Sequence, residues 1–229
     1  NFSSMEAVFI VTPSFFRNHL ISSSNIKVLK IFQEPNKNYI RRKGEGDLVF
    51  EKDFFPFLKS NQDIYESIQV KNTDEIIDLP VNYRVVILSG ANKISKNLID
   101  FFIKNNVICL NLHFGISRKY RGLDSNMWAL RNKDFNSLGT TIHLVEEKID
   151  TGKVIIEDKI NLKGIDSPLK FKMEEIKSAI RSLRKLSNMN QQKIRDFKYI
   201  EGKCIGKYYG IMTLNEKKEA YRYINELNI

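Results

Sequence analysis

Cysteine is scarce: Cys109 and Cys204 are the two in 229 residues. Two distant thiols make no disulfide framework, and neither has the neighbouring Cys or His spacing of a zinc site, so no metal is expected. A reducing, cytoplasmic setting is the simplest expectation. Cys109, inside an apolar run, is expected in a core. Long apolar runs are missing as well. Nothing approaches the ~20 consecutive residues that span a bilayer, so no membrane partner is expected. The opening NFSSMEAVFIV has no basic leader and only a short apolar stretch. No signal peptide is expected there, and Met5 is one candidate for the natural start. Internal repeats and low-complexity tracts are absent. Acidic residues are outnumbered, 27 against 37 Lys and Arg, giving a formal net charge of +10. That surplus suits phosphates, nucleic acid or acidic membranes. The basic residues are spread along the chain, however, densest at Arg41-Arg42-Lys43 and in 170–198. No nucleic-acid motif accompanies them. A nucleic-acid partner is not expected, and a basic nucleic-acid-binding protein stands only as the non-enzyme alternative.

What is present describes a globular protein: 42% hydrophobic and 11% aromatic residues. Ala7 to Val11 is a short apolar run closed by Thr12-Pro13-Ser14, a buried first strand with a helix start at Phe15 to Ile21. Lys27 to Phe32 alternates as a second strand. Asn36 to Asp47 is polar, basic and loop-like, and Asp53 to Asn61 and Asp63 to Ile68 carry helical pieces. Arg84 to Leu88 is a strand turned by Ser89-Gly90. Ser95 to Lys104 is an amphipathic helix with Leu98, Ile99, Phe101, Phe102 and Ile103 as its apolar positions. Val107 to Leu112 is the next buried strand. Strand, helix, strand with short connections predicts an α/β, Rossmann-like, mostly parallel sheet. Beyond it, Thr140 to Glu146 and Lys153 to Leu162 read as strands. Ser167-Pro168 opens a long helix over 169–187. Phe197 to Ile200, Lys203 to Tyr208 and Gly210 to Leu214 read as short strands, and Asn215 to Leu227 as a helix. The expected division is a core over 1–164 and a small helix and β-hairpin appendage over 165–229. A short β-segment at Lys203 to Leu214 seeks a partner, so a homodimer is expected.

The chemistry concentrates in residues 111 to 152, NLHFGISRKYRGLDSNMWALRNKDFNSLGTTIHLVEEKIDTG. Asn111 and His113 are two apart at a strand end, which puts them on one face. In parallel sheets the chemistry lies beyond the carboxyl ends of the strands. An amide, an imidazole and the carboxylate of Asp150 suit acyl transfer. The amide donates to an oxyanion, the imidazole takes a proton near neutral pH, and the carboxylate orients it. Asp-Thr-Gly on its own is a common turn, and Asn-x-His on its own is weak.

The combination is specific. Asn111-x-His113, Gly115, Tyr120-Arg121-Gly122, Trp128, Gly139-Thr140-Thr141-Ile142-His143 and Asp150-Thr151-Gly152 resemble the formyltransferases that use 10-formyltetrahydrofolate. The resemblance implies that core fold, folate as cosubstrate, and Asn111, His113 and Asp150 as the catalytic trio, with no metal. It departs from several branches where they carry Leu-Leu-Pro after the histidine; here the run is Phe114-Gly115-Ile116-Ser117-Arg118. That loop and the small appendage look more like the nucleotide-sugar N-formyltransferases. The implied reaction formylates the amine of a nucleotide-linked amino-dideoxy sugar for O-antigen or other surface polysaccharide, with dTDP-4-amino-4,6-dideoxyglucose as the best fit. Glycinamide-ribonucleotide or another folate-dependent formylation is the alternative. The resemblance maps folate contacts, mostly backbone, to Leu88, Ser89, Gly90, Gly139, Thr141, His143 and Val145. Candidate contacts to an anionic sugar nucleotide are Arg41, Arg42, Ser117, Arg118, Lys119, Tyr120 and Trp128. Arg121 is expected to fix its loop.

Overall fold

A computed structural model describes residues 5–12, 16–35, 65–196 and 206–226. Its centre is a sheet of seven strands among those residues: β1 Glu6–Val11, β2 Lys27–Gln33, β3 Ile68–Gln69, β4 Val85–Ser89, β5 Ile108–His113, β7 Gly139–Leu144 and β8 Val154–Lys159. A further strand, β6 Tyr120–Gly122, lies outside it. The order is β3-β2-β1-β4-β5-β7-β8. The first five in that order run parallel, whereas β7 pairs antiparallel with β5 and with β8. The fold is therefore α/β with a mostly parallel, mixed sheet. β4 reads VVILS and is buried at every position, as a strand covered on both faces must be.

Helices cover the two faces. The described helices are α1 Arg17–Ser22, α2 Lys96–Lys104, α3 Ser125–Arg131, α4 Pro168–Ser187, α5 Gln191–Asp196 and α6 Leu214–Arg222. Alternation along the strands decides which side chains meet which layer. Ala7, Phe9, Val11, Val85, Ile87, Leu110 and Leu112 pack with Leu20 and Ile21 of α1 and with Ile176, Ala179 and Leu183 of α4. Val8, Ile10, Val86 and Leu88 pack with Leu98 and Phe102 of α2. α2 begins where Ser95 Oγ accepts from Leu98 N–H at 3.1 Å. Of its five apolar positions only Leu98 and Phe102 are fully buried, each adding about 1.5–3 kcal/mol. Ile103 is left in solvent.

α4 begins at Pro168 behind the N-cap Ser167 and fixes β7 and β8 with polar contacts. Thr140 Oγ1 lies 2.9 Å from both Ser178 Oγ and Ser182 Oγ. Asn126 exchanges two hydrogen bonds with Gly139 and donates to Glu175 at 2.8 Å. The basic character of α4 is largely answered by acids: Lys172 pairs with Glu175, Lys177 with Glu174, and Arg181 and Lys185 both with Asp158.

Two expectations from the sequence change. Ile68, assigned to a helical piece, is in the short edge strand β3, where it pairs with Phe32. The C-terminal hairpin does not form among the described residues. Instead β9, Lys207–Tyr209, pairs in parallel with β6 to make a separate two-stranded sheet. Residues 210–213 lead into α6, because Thr213 caps that helix in a reciprocal box with Glu216. β9 thus finds its partner in the same chain. Residues 53–61 and 197–200 lie outside the described residues.

Candidate active site

Four side chains meet at the carboxyl end of β5 and the adjoining end of the β7–β8 hairpin. β5 supplies Asn111 and His113, two apart and on one face as the spacing predicts. β7 adds His143, which stands directly across the ladder from Asn111. The β7–β8 register shifts between Ile142 and His143, the kind of irregularity that re-aims a side chain. The connection from β7 to β8 returns Asp150, whose backbone is left-handed with φ 52°. Aspartate tolerates that region better than most residues. The chain then closes tightly: a Cβ on Gly152 would lie 1.7 Å from the Leu144 carbonyl oxygen, so only glycine fits there.

Asp150 is the centre of the cluster. Its Oδ1 lies 3.1 Å from Asn111 Nδ2 and 3.2 Å from His143 Nε2. Its Oδ2 accepts from Gly122 N–H at 2.8 Å and lies 3.4 Å from His113 Nδ1. Burial alone would raise this carboxyl's pKa. The opposing effects of His113, His143 and the Gly122 N–H outweigh it and hold Asp150 well below the usual carboxylate range, so it is ionised.

The partners of each imidazole assign its proton. His113 Nε2 is 3.0 Å from the Tyr120 carbonyl oxygen, which can only accept, so Nε2 carries the hydrogen. Nδ1 faces Asp150 Oδ2 and donates to it when the ring is protonated. His113 is 7% exposed, and burial pushes its pKa below the ordinary imidazole value even though Asp150 pulls the other way. Burial thus favours its neutral form, and Asp150 its protonated form. His143 Nδ1 lies 2.7 Å from the Leu144 carbonyl oxygen and must donate to it. Its Nε2 is 3.1 Å from Asn111 Nδ2. Both amide hydrogens of Asn111 therefore have acceptors in this state. Gly115 leaves room for His113: a Cβ there would come within 2.8 Å of Nε2 and 2.4 Å of Ser125 Cβ.

The remaining residues singled out from the sequence divide into several groups. Thr141 Oγ1 donates to the Gly115 carbonyl oxygen at 2.7 Å and accepts from Ser117 N–H at 3.2 Å. It braces the loop after His113. Gly139 is bonded through both backbone groups to Asn126, Val145 N–H donates to the Cys109 carbonyl, and Leu88 lies in a strand paired on both sides. These backbone groups are engaged within the protein. Ser89 and Gly90 end β4, and Gly90 has φ +63°. The Tyr120 ring is buried and stacks on Tyr209 at 5.2 Å; its carbonyl, rather than its ring, reaches His113. Trp128 packs 5.1 Å from the same Tyr209, and its Nε1 donates to the Gly210 carbonyl oxygen. Both aromatics hold β9 in place. Arg118 pairs with Glu157 at the surface, while Lys119 bonds β9 through its backbone. Arg121 donates to the Gly206 and Ile149 carbonyls, tying the loops together as expected. Arg41 and Arg42 lie outside the described residues.

His143, assigned to folate from the sequence, stands against Asn111 and Asp150. Its position opposite Asn111 depends on a cross-strand register set across an intervening helix and loops. The Gly122 N–H was missed, since a backbone donor leaves no residue-type signal. Among the described residues no helix is long and apolar enough to cross a membrane, and no group of His, Cys, Asp and Glu is arranged to hold a metal ion.

Known proteins are similar to this chain in sequence and in fold. Methionyl-tRNA formyltransferase of Campylobacter jejuni strain 81-176 is 28% identical over 229 residues, covering 94% of this chain and 71% of that protein. Among solved structures, a 4-N formyltransferase from Francisella tularensis superposes with a TM-score of 0.58 at 18% identity, over 97% of this chain and 88% of that one. An N-formyltransferase from Helicobacter canadensis, solved with folinic acid and dTDP-3-aminofucose, gives a TM-score of 0.56 at 17% identity, over 95% and 81%. The family model for formyl transferase matches residues 24–178, which include β5, β7 and the whole Asp150 cluster, so the chain belongs to the formyl transferase family.

Proposed function

We propose that this formyltransferase moves a formyl group from 10-formyltetrahydrofolate to the amine of a nucleotide-linked amino-dideoxy sugar, with dTDP-4-amino-4,6-dideoxyglucose as the best candidate. The observation that carries the reaction is the ionised Asp150 carboxylate with Asn111, His113 and His143 around it. The donor set fits a formyl donor: an amide able to turn toward an oxyanion, a neutral imidazole, and a fixed negative charge beside it. The folate cosubstrate supplies an activated formyl group. The turn at Ser89-Gly90 and the 139–145 segment border the crevice proposed to hold it.

In this mechanism His113 Nδ1 accepts the proton that the amine loses as its C–N bond forms. The resulting imidazolium donates to Asp150 Oδ2, so the new charge is paired where it arises. His113 then returns a proton to the departing nitrogen. Asn111 turns one Nδ2 hydrogen from His143 Nε2 to the developing oxyanion, a contact typically worth about 3 kcal/mol of barrier. The Tyr120 carbonyl keeps Nε2 protonated, so Nδ1 is the basic nitrogen throughout.

The sugar reading is supported by the Phe114 to Arg118 run in place of Leu-Leu-Pro and by the ligand named for the Helicobacter canadensis structure. A second reading, formylation of methionyl-tRNA, is favoured by the 28% identity to the Campylobacter jejuni enzyme. Incubation with 10-formyltetrahydrofolate and a panel of dTDP- and UDP-amino sugars, glycinamide ribonucleotide and methionyl-tRNA tests both, with product mass as readout. Gain of one formyl group on a nucleotide sugar is the expected result. Formylation confined to methionyl-tRNA or to glycinamide ribonucleotide would overturn the sugar reading.

A further inference from the structure

Arg17 is buried, with 6% of its surface exposed, yet among the described residues no carboxylate pairs with it. Its Nε has no hydrogen-bond partner, and Nη1 makes only a long 3.4 Å contact to Thr12 Oγ1. Buried charges are normally paired, because removing one from water costs several kcal/mol. Burial lowers the guanidinium to about 9, which still leaves it charged at neutral pH. Among the described residues, a charged fork of N–H donors is therefore held out of water with almost nothing to donate to.

Its surroundings are polar and converge from three elements. Arg17 opens α1, and its Nη2 lies against Gly90, where a Cβ would come within 2.7 Å. Thr12 Oγ1 donates to the Gly90 carbonyl oxygen at 2.8 Å. Ser89 is opposite Val11 in the β1–β4 ladder, and its hydroxyl is also buried without a partner. Ser89 is two residues beyond Ile87, which packs with α1, so its side chain is on the α1 face. All of these groups lie at the carboxyl ends of β1 and β4. The chain steps outward from β1 to β2 and comes back at β4 on the other side of β1. Such a switch point opens the crevice where α/β sheets of this kind take ligands.

We propose that Arg17, with the hydroxyls of Thr12 and Ser89, is an oxyanion receptor for a phosphoryl group of the amine substrate. β5 is next to β4, so the carboxyl end of β5 lies about two strand spacings, roughly 10 Å, from the end of β1, with His113 on the sheet face opposite to Ser89. That leaves room for a sugar ring between the bound phosphoryl group and the amine. Phe16, adjoining Arg17, meets Phe114, adjoining His113, edge to face at 5.6 Å, and so links the receptor to the reacting end. The identity of the bound molecule as a phosphorylated amine rests on the proposed function; oxyanion binding at Arg17 does not.

Calorimetric titration of the full chain with inorganic pyrophosphate tests the receptor without turnover. Wild type should bind, and Arg17→Met should lose roughly 10-fold or more in affinity. The Met variant should also resist denaturant better, because an unpaired buried cation is gone. Arg17→Gln is the second variant, and the same loss is expected of it should Arg17→Met fail to fold. With the phosphorylated amine as substrate, either variant should raise its KM roughly 10-fold or more and leave the folate KM unchanged. Equal pyrophosphate affinity in wild type and variant, or a rise confined to the folate KM, would overturn the proposal. Arg17-dependent pyrophosphate binding without formylation of any nucleotide sugar would leave the receptor standing and remove only the sugar reading.

Discussion

His143 Nε2 stands 3.2 Å from Asp150 Oδ1, while its Nδ1 is held by the Leu144 carbonyl at 2.7 Å. The imidazole is thus held through Nδ1, and its Nε2 accepts from Asn111 beside the carboxylate that also faces His113. His143→Ala should lower kcat by roughly 10-fold or more and change the folate KM little. A variant with normal kcat and only a raised folate KM would return His143 to the folate contacts.

His113→Ala should reduce kcat by at least ~100-fold while far-ultraviolet circular dichroism stays that of wild type. The wild-type kcat/KM should fall on the acid side, because a protonated Nδ1 cannot accept the amine's proton. Burial places that fall below the ordinary imidazole value of about 6.5. Near-wild-type turnover in the variant would remove His113 as the base.

Asp150→Asn keeps the shape of the cluster and deletes its charge. Asp150 favours the protonated form of His113, so the remaining activity should show its acid limb at lower pH than wild type. Turnover should fall about 100-fold or more. An acid limb that moves to higher pH would contradict the pairing of Asp150 Oδ2 with His113 Nδ1.

Stability should report the same burial. His113 has a lower pKa folded than unfolded, so below about 6.5 the unfolded chain takes up its proton first. The stability that neutral His113 carries is therefore complete above that pH and declines as pH falls through it. His113→Gln lacks this linkage. The urea midpoint of wild type relative to His113→Gln should shrink from pH 7.5 to pH 5.5. A constant difference would mean that His113 titrates alike in both states.

Gly152→Ala should be destabilising by about 1–3 kcal/mol or more, since the methyl would enter the Leu144 carbonyl. At this chain length each kcal/mol lowers Tm by about 2–4 °C. Calorimetry would show it, and an unchanged Tm would mean that the hairpin connection yields freely.

Much of this was legible in the sequence because it depends on local pattern. The period-two placement of Asn111 and His113, the cap at Ser95 and the Ser167-Pro168 start each state their structure within a few residues. His143 was not legible as a neighbour of Asp150, because nothing in Thr-Ile-His says which strand lies across from it. Tyr120 and Trp128 read either as packing under the site or as lining a groove; the Tyr209 they pack against is about 80 to 90 residues downstream, on a strand whose parallel pairing no hairpin signal announces. Arg17 carried no motif. What marks it is burial without a counter-ion, a property of the fold rather than of the word.

The two-stranded sheet of β6 and β9 has a consequence for anyone who would recombine this enzyme with its relatives. Gly122 gives its N–H to Asp150, and a Cβ at that position would strike the Tyr209 carbonyl at 2.2 Å. β9 is therefore the back wall of the Asp150 cluster. A chimera that exchanges this stretch to change acceptor preference also changes how firmly its central acid is held. Swapped tails should be judged first by their pH profiles and only then by their substrates.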